Sequence, residues 1–225
     1  MAHVKFGYLD TSGNWHPVST LEEDEYPGYY YREGAEAPAD GSEPTSDASA
    51  SAAEVEAPLF EGHRAFQENQ RGVSFDTLLV PYLRGAALIT ITDPYIRQFH
   101  QARNLMELIE GIAAAKDAAD EVNIKLITSE NNDGEEKLRK QLELLVKIKQ
   151  GAAVGGVNFD VSFDNTIHDR SIVTDTGWKI LLGRGLDIFQ YVTGDAFDLA
   201  TKLQEYRHVK AFGVTYIREG EQQTL

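Results

Sequence analysis

The sequence predicts an α/β fold, with one folded domain over residues 59–218. Between residues 87 and 163, short apolar strand patterns alternate with two amphipathic helical patterns, and a hairpin pattern follows over residues 171–182. This order is typical of a sheet with helices packed on its faces. The chain has 225 residues, of which 42% are hydrophobic, so its composition is sufficient for such a core.

The first strand and helix are predicted at Ala87–Thr92 and Arg97–Lys116. The strand pattern is short and entirely apolar, as in a buried central strand. Asp93 is expected to cap the helix that follows, with Pro94 as an early helical residue. Apolar residues then recur at spacings of three and four, which places them on one helix face. They are Ala102, Leu105, Met106, Ile109, Ile112 and Ala113.

The second strand and helix are predicted at Val122–Thr128 and Glu135–Gln150, with Gly151 ending the helix. Its expected inward residues are Leu138, Leu142 and Leu145. Val157–Phe163 alternates between apolar and polar side chains, which indicates a half-buried strand.

A hairpin and a final strand complete the predicted domain. Ser171–Thr174 and Trp178–Leu182 flank the turn Asp175-Thr176-Gly177. Ala211–Ile217 is the predicted last strand, and residues 219–225 form a tail.

The N-terminal part differs in composition from the domain. Residues 1–33 contain a short hairpin pattern and several tyrosines, so we interpret them as an arm that docks or recognises a protein partner. Residues 34–58 are rich in Ala, Ser, Pro, Glu and Asp, which indicates a disordered acidic linker. Residues 1–58 carry two thirds of the formal net charge of -15.

Composition excludes several kinds of site. The chain has no cysteine, so it has no disulfide or thiolate, and its histidines lack the spacing of metal ligands. We therefore predict neither metal nor cofactor. No signal peptide or transmembrane segment is visible, which favours a cytoplasmic protein that is at most peripheral to a membrane. The acidic charge argues against non-specific binding to DNA or anionic lipid.

The sharpest candidate site is the pattern His168-x-Arg170-x(4)-Asp175. If the following residues form a strand, His168 and Arg170 point to one face. A histidine beside a guanidinium suits phosphate, with the histidine as nucleophile or acid and the arginine as a clamp. The alternative to a functional site is an ordinary surface ion pair in the loop before the strand.

Two further clusters flank predicted strand ends. Asp93, Tyr95, Arg97 and His100 occur where the first strand meets the first helix, a common place for a ligand crevice. A cation in the first helical turn needs an offsetting anion, either a ligand or Asp93 in a simple cap pair. The third cluster is Gly183-Arg184-Gly185-Leu186-Asp187, a weak phosphate signal whose glycines permit close backbone approach.

In this order, the three clusters resemble the C-terminal domain of microtubule-interacting-and-transport (MIT) domain proteins. Phe60-Glu61-Gly62-His63-Arg64 resembles the start of that domain, and the resemblance extends over residues 60–218. It implies a phospholipase D-like mixed sheet flanked by helices that forms a homodimer. For the eukaryotic members it also implies non-catalytic, peripheral binding to phosphoinositide-containing membrane in late cytokinesis.

Two departures from the family pattern leave three hypotheses open. No MIT helical bundle precedes the domain, and Arg170 stands where active phospholipase D enzymes have lysine. The leading hypothesis is a phosphate-recognition module for phospholipid headgroups or nucleic acid. The second is a metal-independent lipase or nuclease that uses a phosphohistidine at His168 in a homodimer. The third is an assembly domain, similar to those appended to ATPase or Lon-like proteins of bacterial defence systems.

Overall fold

The computed structural model describes residues 58–192 and 197–219, and three short N-terminal strands, Phe6–Leu9 (β1), Trp15–Pro17 (β2) and Tyr31–Arg32 (β3). These three pair antiparallel in the order β2-β1-β3, where the sequence predicts a hairpin. They belong to a unit that spans Met1–Val55, whereas Glu56–Leu225 forms a second unit. The predicted acidic linker and tail lie outside the described residues, except for Pro58 and Glu219.

The second unit is built on a seven-stranded mixed sheet in the order β4-β10-β9-β8-β5-β6-β7. The central strand β5 pairs parallel with β6, and β6 pairs parallel with β7, whereas all other neighbours are antiparallel. The strands are Gly62–Phe66 (β4), Leu88–Thr92 (β5), Val122–Thr128 (β6), Val157–Phe163 (β7), Ser171–Thr174 (β8), Trp178–Leu182 (β9) and Phe212–Arg218 (β10). The predicted α/β class is therefore confirmed.

Within the described residues, two long α-helices and three short ones accompany this sheet. They are Phe75–Leu78 (α1), Val80–Leu83 (α2), Phe99–Ala115 (α3), Glu135–Val154 (α4) and Leu199–Lys202 (α5). Helix α3 contacts α1, α2 and α4, and α4 packs on β7. The core lies where the apolar stripes of α3 and α4 meet the inward residues of β5 and β6, among them Ile89, Ile91, Leu105, Leu108 and Leu126, which are almost fully buried. No helix in the described part of the chain combines the length and apolar character needed to cross a membrane.

The predicted end of the second helix is wrong. Helix α4 continues through Gly151 to Val154, and Gly155 caps it. Gly151 stays helical because its neighbour Ala152 is buried in the core, so tertiary packing outweighs the weak helix propensity of glycine. Leu142, expected inward, is 43% exposed, whereas Leu145 is buried.

The predicted start of the first helix is also wrong. Helix α3 begins at Phe99, and Gln98 and Gln101 form its capping box. Asp93 does not cap this helix, because its carboxylate accepts hydrogen bonds from other backbone groups. Pro94 lies in a turn that separates β5 from the helix.

Strand β4 and the segment that contains α1 and α2 were not predicted from the sequence. Residues 73–83 supply much of the core, including Phe75, Leu79 and Tyr82. Their apolar residues follow neither a helical nor a strand period over a useful length, and Pro81 interrupts them. The segment is ordered by long-range contacts, such as the Tyr216 hydroxyl that donates to Leu78 O at 2.9 Å.

Candidate functional site

The candidate site lies at the end of the central strand β5. The sheet register pairs Thr92 of β5 with Ile127 of β6 and with Ser171 of β8. The next residues outward are therefore Thr128, Asp93 and Arg170, side by side across three neighbouring strands. This row is the point at which the candidate clusters, separate in sequence, meet.

Asp93 organises the backbone around the row. Its Oδ1 accepts the Tyr95 N–H at 3.0 Å, and its Oδ2 accepts the Leu186 N–H at 3.0 Å. The side chain is almost fully buried. Burial raises the pKa of this carboxyl, although the two N–H groups and the charge of Arg170 act in the opposite direction. Asp93 thus ties the turn after β5 to the turn after β9.

Gly185 leaves room for this carboxylate. Its φ of +63° lies in the left-handed region, and a Cβ placed there would overlap Asp93 Oδ2 and lie 3.1 Å from Arg170 Cδ. A side chain at this position would therefore displace both charged groups. The close backbone approach predicted for the glycine–arginine–glycine turn is made to Asp93.

Arg170 extends from the row toward Tyr95. Its Nη1 donates to Gly183 O at 2.6 Å, and its Cζ lies 4.5 Å from the centroid of the Tyr95 ring. The Nε atom is buried, with no hydrogen-bond partner in the described part of the chain. The guanidinium is therefore fixed in position while part of its hydrogen-bonding capacity remains unused.

Arg97 approaches the same ring. Its Nε donates to Pro94 O at 3.0 Å, and its Cζ lies 5.6 Å from the Tyr95 centroid. Among the described residues, no ion pair joins Asp93 to Arg97, so the simple cap pair that was the alternative to a ligand site is not formed. Two guanidinium groups thus flank one tyrosine ring, which is 44% exposed. We call Tyr95, Arg97 and Arg170 the crevice.

The other residues of the predicted site are dispersed around the crevice. His168 is exposed in the loop before β8 and has no hydrogen bond or ion pair within the described residues. Arg184 is exposed, and its Nε donates to Ala211 O at 3.0 Å. His100 Nε2 lies 3.8 Å from Asp187, which also accepts from Lys210 Nζ at 2.7 Å.

Asp175 lies at the opposite end of β8. Its Oδ2 accepts the backbone N–H groups of Ala87 and Leu88 at 3.2 and 3.1 Å, at the start of β5. Five extended residues separate it from Arg170, which is about 17 Å. Within one chain, Asp175 therefore stabilises the start of β5 through these two hydrogen bonds and does not reach His168.

Gln141 supports the crevice and was not among the residues predicted from the sequence. Its Nε2 donates to Ile96 O and to Ser129 O, both at 2.9 Å, and its Oε1 accepts the Asn131 N–H at 2.8 Å. It therefore ties helix α4 to the turn that carries Arg97. The sequence feature that could have identified Gln141 is its spacing from Leu138 and Leu145, which places a polar side chain on the apolar face of the helix.

Comparisons with known proteins agree with this architecture. The sequence model of a family described as the phospholipase D-like domain at the C-terminus of MIT matches residues 72–218. A mouse protein named MIT domain-containing protein 1 is 37% identical over 131 residues. The match covers 57% of this chain, and the chain spans about half the length of the mouse relative.

Proposed function

Because the chain belongs to the family of phospholipase D-like domains at the C-terminus of MIT, we propose that it recognises phosphate groups without catalysis. The observation that carries this proposal is the pair of anchored guanidinium groups, Arg97 and Arg170, beside the exposed ring of Tyr95. Both guanidinium groups lie close to the same ring, so an anion that contacts this ring has positive charge within reach. A phosphate oxyanion matches the fork geometry of both arginines.

Each arginine is anchored in a way that leaves its outer face available. One N–H of each guanidinium donates to a backbone carbonyl, Pro94 O for Arg97 and Gly183 O for Arg170. No other hydrogen bond from either guanidinium is found in the described part of the chain. Pre-positioned donors bind an anion with little loss of side-chain entropy.

The remaining predicted residues fit a peripheral role. His168 and Arg184 are exposed, whereas Asp93 holds the two turns that form the crevice. The phosphate ligand is a phospholipid headgroup or a nucleic-acid phosphate. We propose a homodimer that binds membranes peripherally, as the family resemblance implies. We also propose a cytoplasmic location and a protein partner that binds through residues 1–33.

The geometry favours recognition over hydrolysis. The phosphodiesterase hypothesis needs a homodimer to complete its site, because one chain supplies a single half-motif and its Asp175 is engaged at the far end of β8. A trapped phosphohistidine, or hydrolysis in EDTA that His168→Asn abolishes, would support the enzyme instead.

A binding assay with paired charge variants tests the proposal. The full chain is titrated with phosphatidylcholine vesicles that contain an acidic phospholipid, with a phosphate-bearing oligonucleotide and with inorganic phosphate. We expect Arg97→Ala with Arg170→Ala to weaken binding by at least about tenfold, because each charge-assisted hydrogen bond contributes about 1.5–3 kcal/mol.

The matched control is Arg139→Ala with Lys149→Ala, which removes the same charge from two exposed ion pairs. It should leave binding nearly unchanged. Equal affinity of the crevice variant and the original chain for all three ligands would refute the proposal. If removal of residues 1–58 abolished function while the crevice variant retained it, the assembly hypothesis would be favoured.

A further inference from the structure

A cavity elsewhere in the larger unit shares no lining residue with the crevice. It has a volume of about 250 Å³ and lies between the start of α3, the residues that follow β9 and the segment before β10. Three cationic side chains, Arg103, Arg207 and Lys210, and the imidazole of His100 line it, and none of the described residues of its lining is acidic. This composition is unusual on a chain with a formal net charge of -15.

Acidic side chains that do not line the cavity hold these basic groups in place. Asp187 accepts from Lys210 at 2.7 Å and lies 3.8 Å from His100. Glu107 accepts from Arg207 Nη1 and Nη2 at 2.6 and 2.7 Å, and from Arg103 at 2.9 Å. Two carboxylates therefore position the three cations and the imidazole, and neither carboxylate lines the cavity. The cavity wall is attractive to an anion.

The floor of the cavity is rigid. Arg207 is only 3% exposed, and its Cζ lies 5.4 Å from the ring centroid of the buried Phe189. Its Nε donates to Ala200 O at 2.7 Å, in addition to the two bonds to Glu107. A guanidinium fixed in this way provides a charged surface that cannot rotate away.

Two aromatic rings line the same cavity and are largely uncovered. Phe99 is 70% exposed and Tyr191 is 82% exposed. Neither stacks on another ring or lies under a cation within the described residues, although such contacts join many aromatic residues of the core. Exposed rings beside fixed cations are suited to a planar ligand that carries negative charge.

We propose that this cavity binds a small aromatic phosphomonoester. The aromatic group packs against Phe99 and Tyr191, while the phosphate pairs with Lys210 and Arg103. The volume is slightly below the range of about 300–1,000 Å³ for common ligand pockets, which favours a single small molecule over a polymer. Nucleoside monophosphates and simple aryl phosphates share this chemistry.

Calorimetric titration of the full chain tests the proposal. The probes are adenosine monophosphate and phenyl phosphate, with inorganic phosphate and adenosine as the two half-ligands. We expect at least one phosphomonoester to bind about tenfold more tightly than either half-ligand, because ring and phosphate contacts combine. Whichever ester binds more tightly identifies the source of the aromatic group.

Variants locate the binding. Tyr191→Ala should weaken the tighter ester about tenfold and leave the affinity for inorganic phosphate unchanged. Tyr206→Ala is the matched control, since Tyr206 is 48% exposed on the same segment but does not line the cavity. The crevice variant Arg97→Ala with Arg170→Ala removes any phosphate binding at the crevice, so ester binding that remains in this variant and is lost when Tyr191→Ala is added reports on the cavity alone.

Three results would overturn the proposal: no ester binding at millimolar concentration, no preference over the half-ligands, or no effect of Tyr191→Ala. Because Tyr191 is exposed and outside the core, its replacement should leave the melting temperature unchanged. A loss of ester binding in this variant therefore reports on the cavity and not on misfolding.

Discussion

At the residue scale, the site depends on one buried carboxylate and one glycine. Asp93 accepts N–H groups from two turns that are 91 residues apart in sequence, those of Tyr95 and Leu186. Gly185 permits this contact because it has no Cβ. The geometry of the crevice thus depends on a hydrogen-bonded carboxylate and on the space that a glycine leaves for it.

We predict that Gly185→Ala destabilises the protein by about 2–4 kcal/mol, because overpacking against Asp93 adds to left-handed backbone strain. Urea unfolding measures this change. Gly85→Ala is the matched control, since Gly85 has a φ of +71° and open space around its Cβ position. It should cost only about 1 kcal/mol. Equal effects of both replacements would show that contact with Asp93 is unimportant.

At the element scale, one ionic cluster joins helix α3 to the segment before β10. Glu107 of α3 accepts two hydrogen bonds from Arg207 and one from Gln204 Nε2 at 2.8 Å. Arg207 also donates to the backbone of residues 200 and 201. A short helix such as α5 is marginal by itself, so this cluster supplies much of what holds the segment in place.

We predict that Glu107→Gln costs about 3–5 kcal/mol near neutral pH, because it leaves the buried Arg207 without a counter-charge. Chemical unfolding is the measurement. Glu143→Gln is the control, because its partner Arg139 is exposed, and a change below about 1 kcal/mol is expected. A comparable loss in both variants would contradict a special role for Glu107.

The same pair predicts a pH dependence. Burial raises the pKa of Glu107, but the hydrogen bonds from Arg207 and Gln204 and the nearby charges outweigh it, so the pKa lies below its ordinary value of 4.5. The stabilisation is therefore fully present above about pH 4.5 and is lost as the pH falls through the lowered pKa. The difference in unfolding free energy between the original chain and Glu107→Gln should shrink over that acidic range.

At the scale of the whole molecule, residues 56–71 complete the larger unit. Strand β4 pairs with β10, Phe66 stacks on Phe212 at 4.6 Å, and the Tyr82 hydroxyl donates to Phe60 O at 3.0 Å. The family match begins only at residue 72. The edge strand therefore contributes to the sheet although it lies outside the matched region.

We predict that a fragment beginning at Glu56 melts within about 2 °C of the full chain, because the described core lies entirely within the larger unit. A fragment beginning at Gly72 should melt at least about 5 °C lower, since it loses β4 and its aromatic contacts. Differential scanning calorimetry compares the two. Equal melting temperatures of the two fragments would show that β4 is dispensable.

The sequence by itself determined the α/β class and the bounds of Val122–Thr128, Val157–Phe163 and both hairpin strands. These elements have a clear local period or a turn signal, and local signals can be read directly from sequence. For α3 and α4 the apolar stripes identified the helices, but their ends depended on caps and packing. The resemblance to the family, drawn from motifs in order, is also confirmed by the family match.

Only the tertiary structure decided how the candidate residues combine. It brings Arg97 and Arg170 to one tyrosine ring, separates Asp175 from His168 and assigns Asp93 to the turn after β9 instead of to a helix cap. Strand order and register determine which distant residues become neighbours, and they arise from burial summed over the whole sheet. No local pattern carries that information, so the geometry of the site followed from the fold.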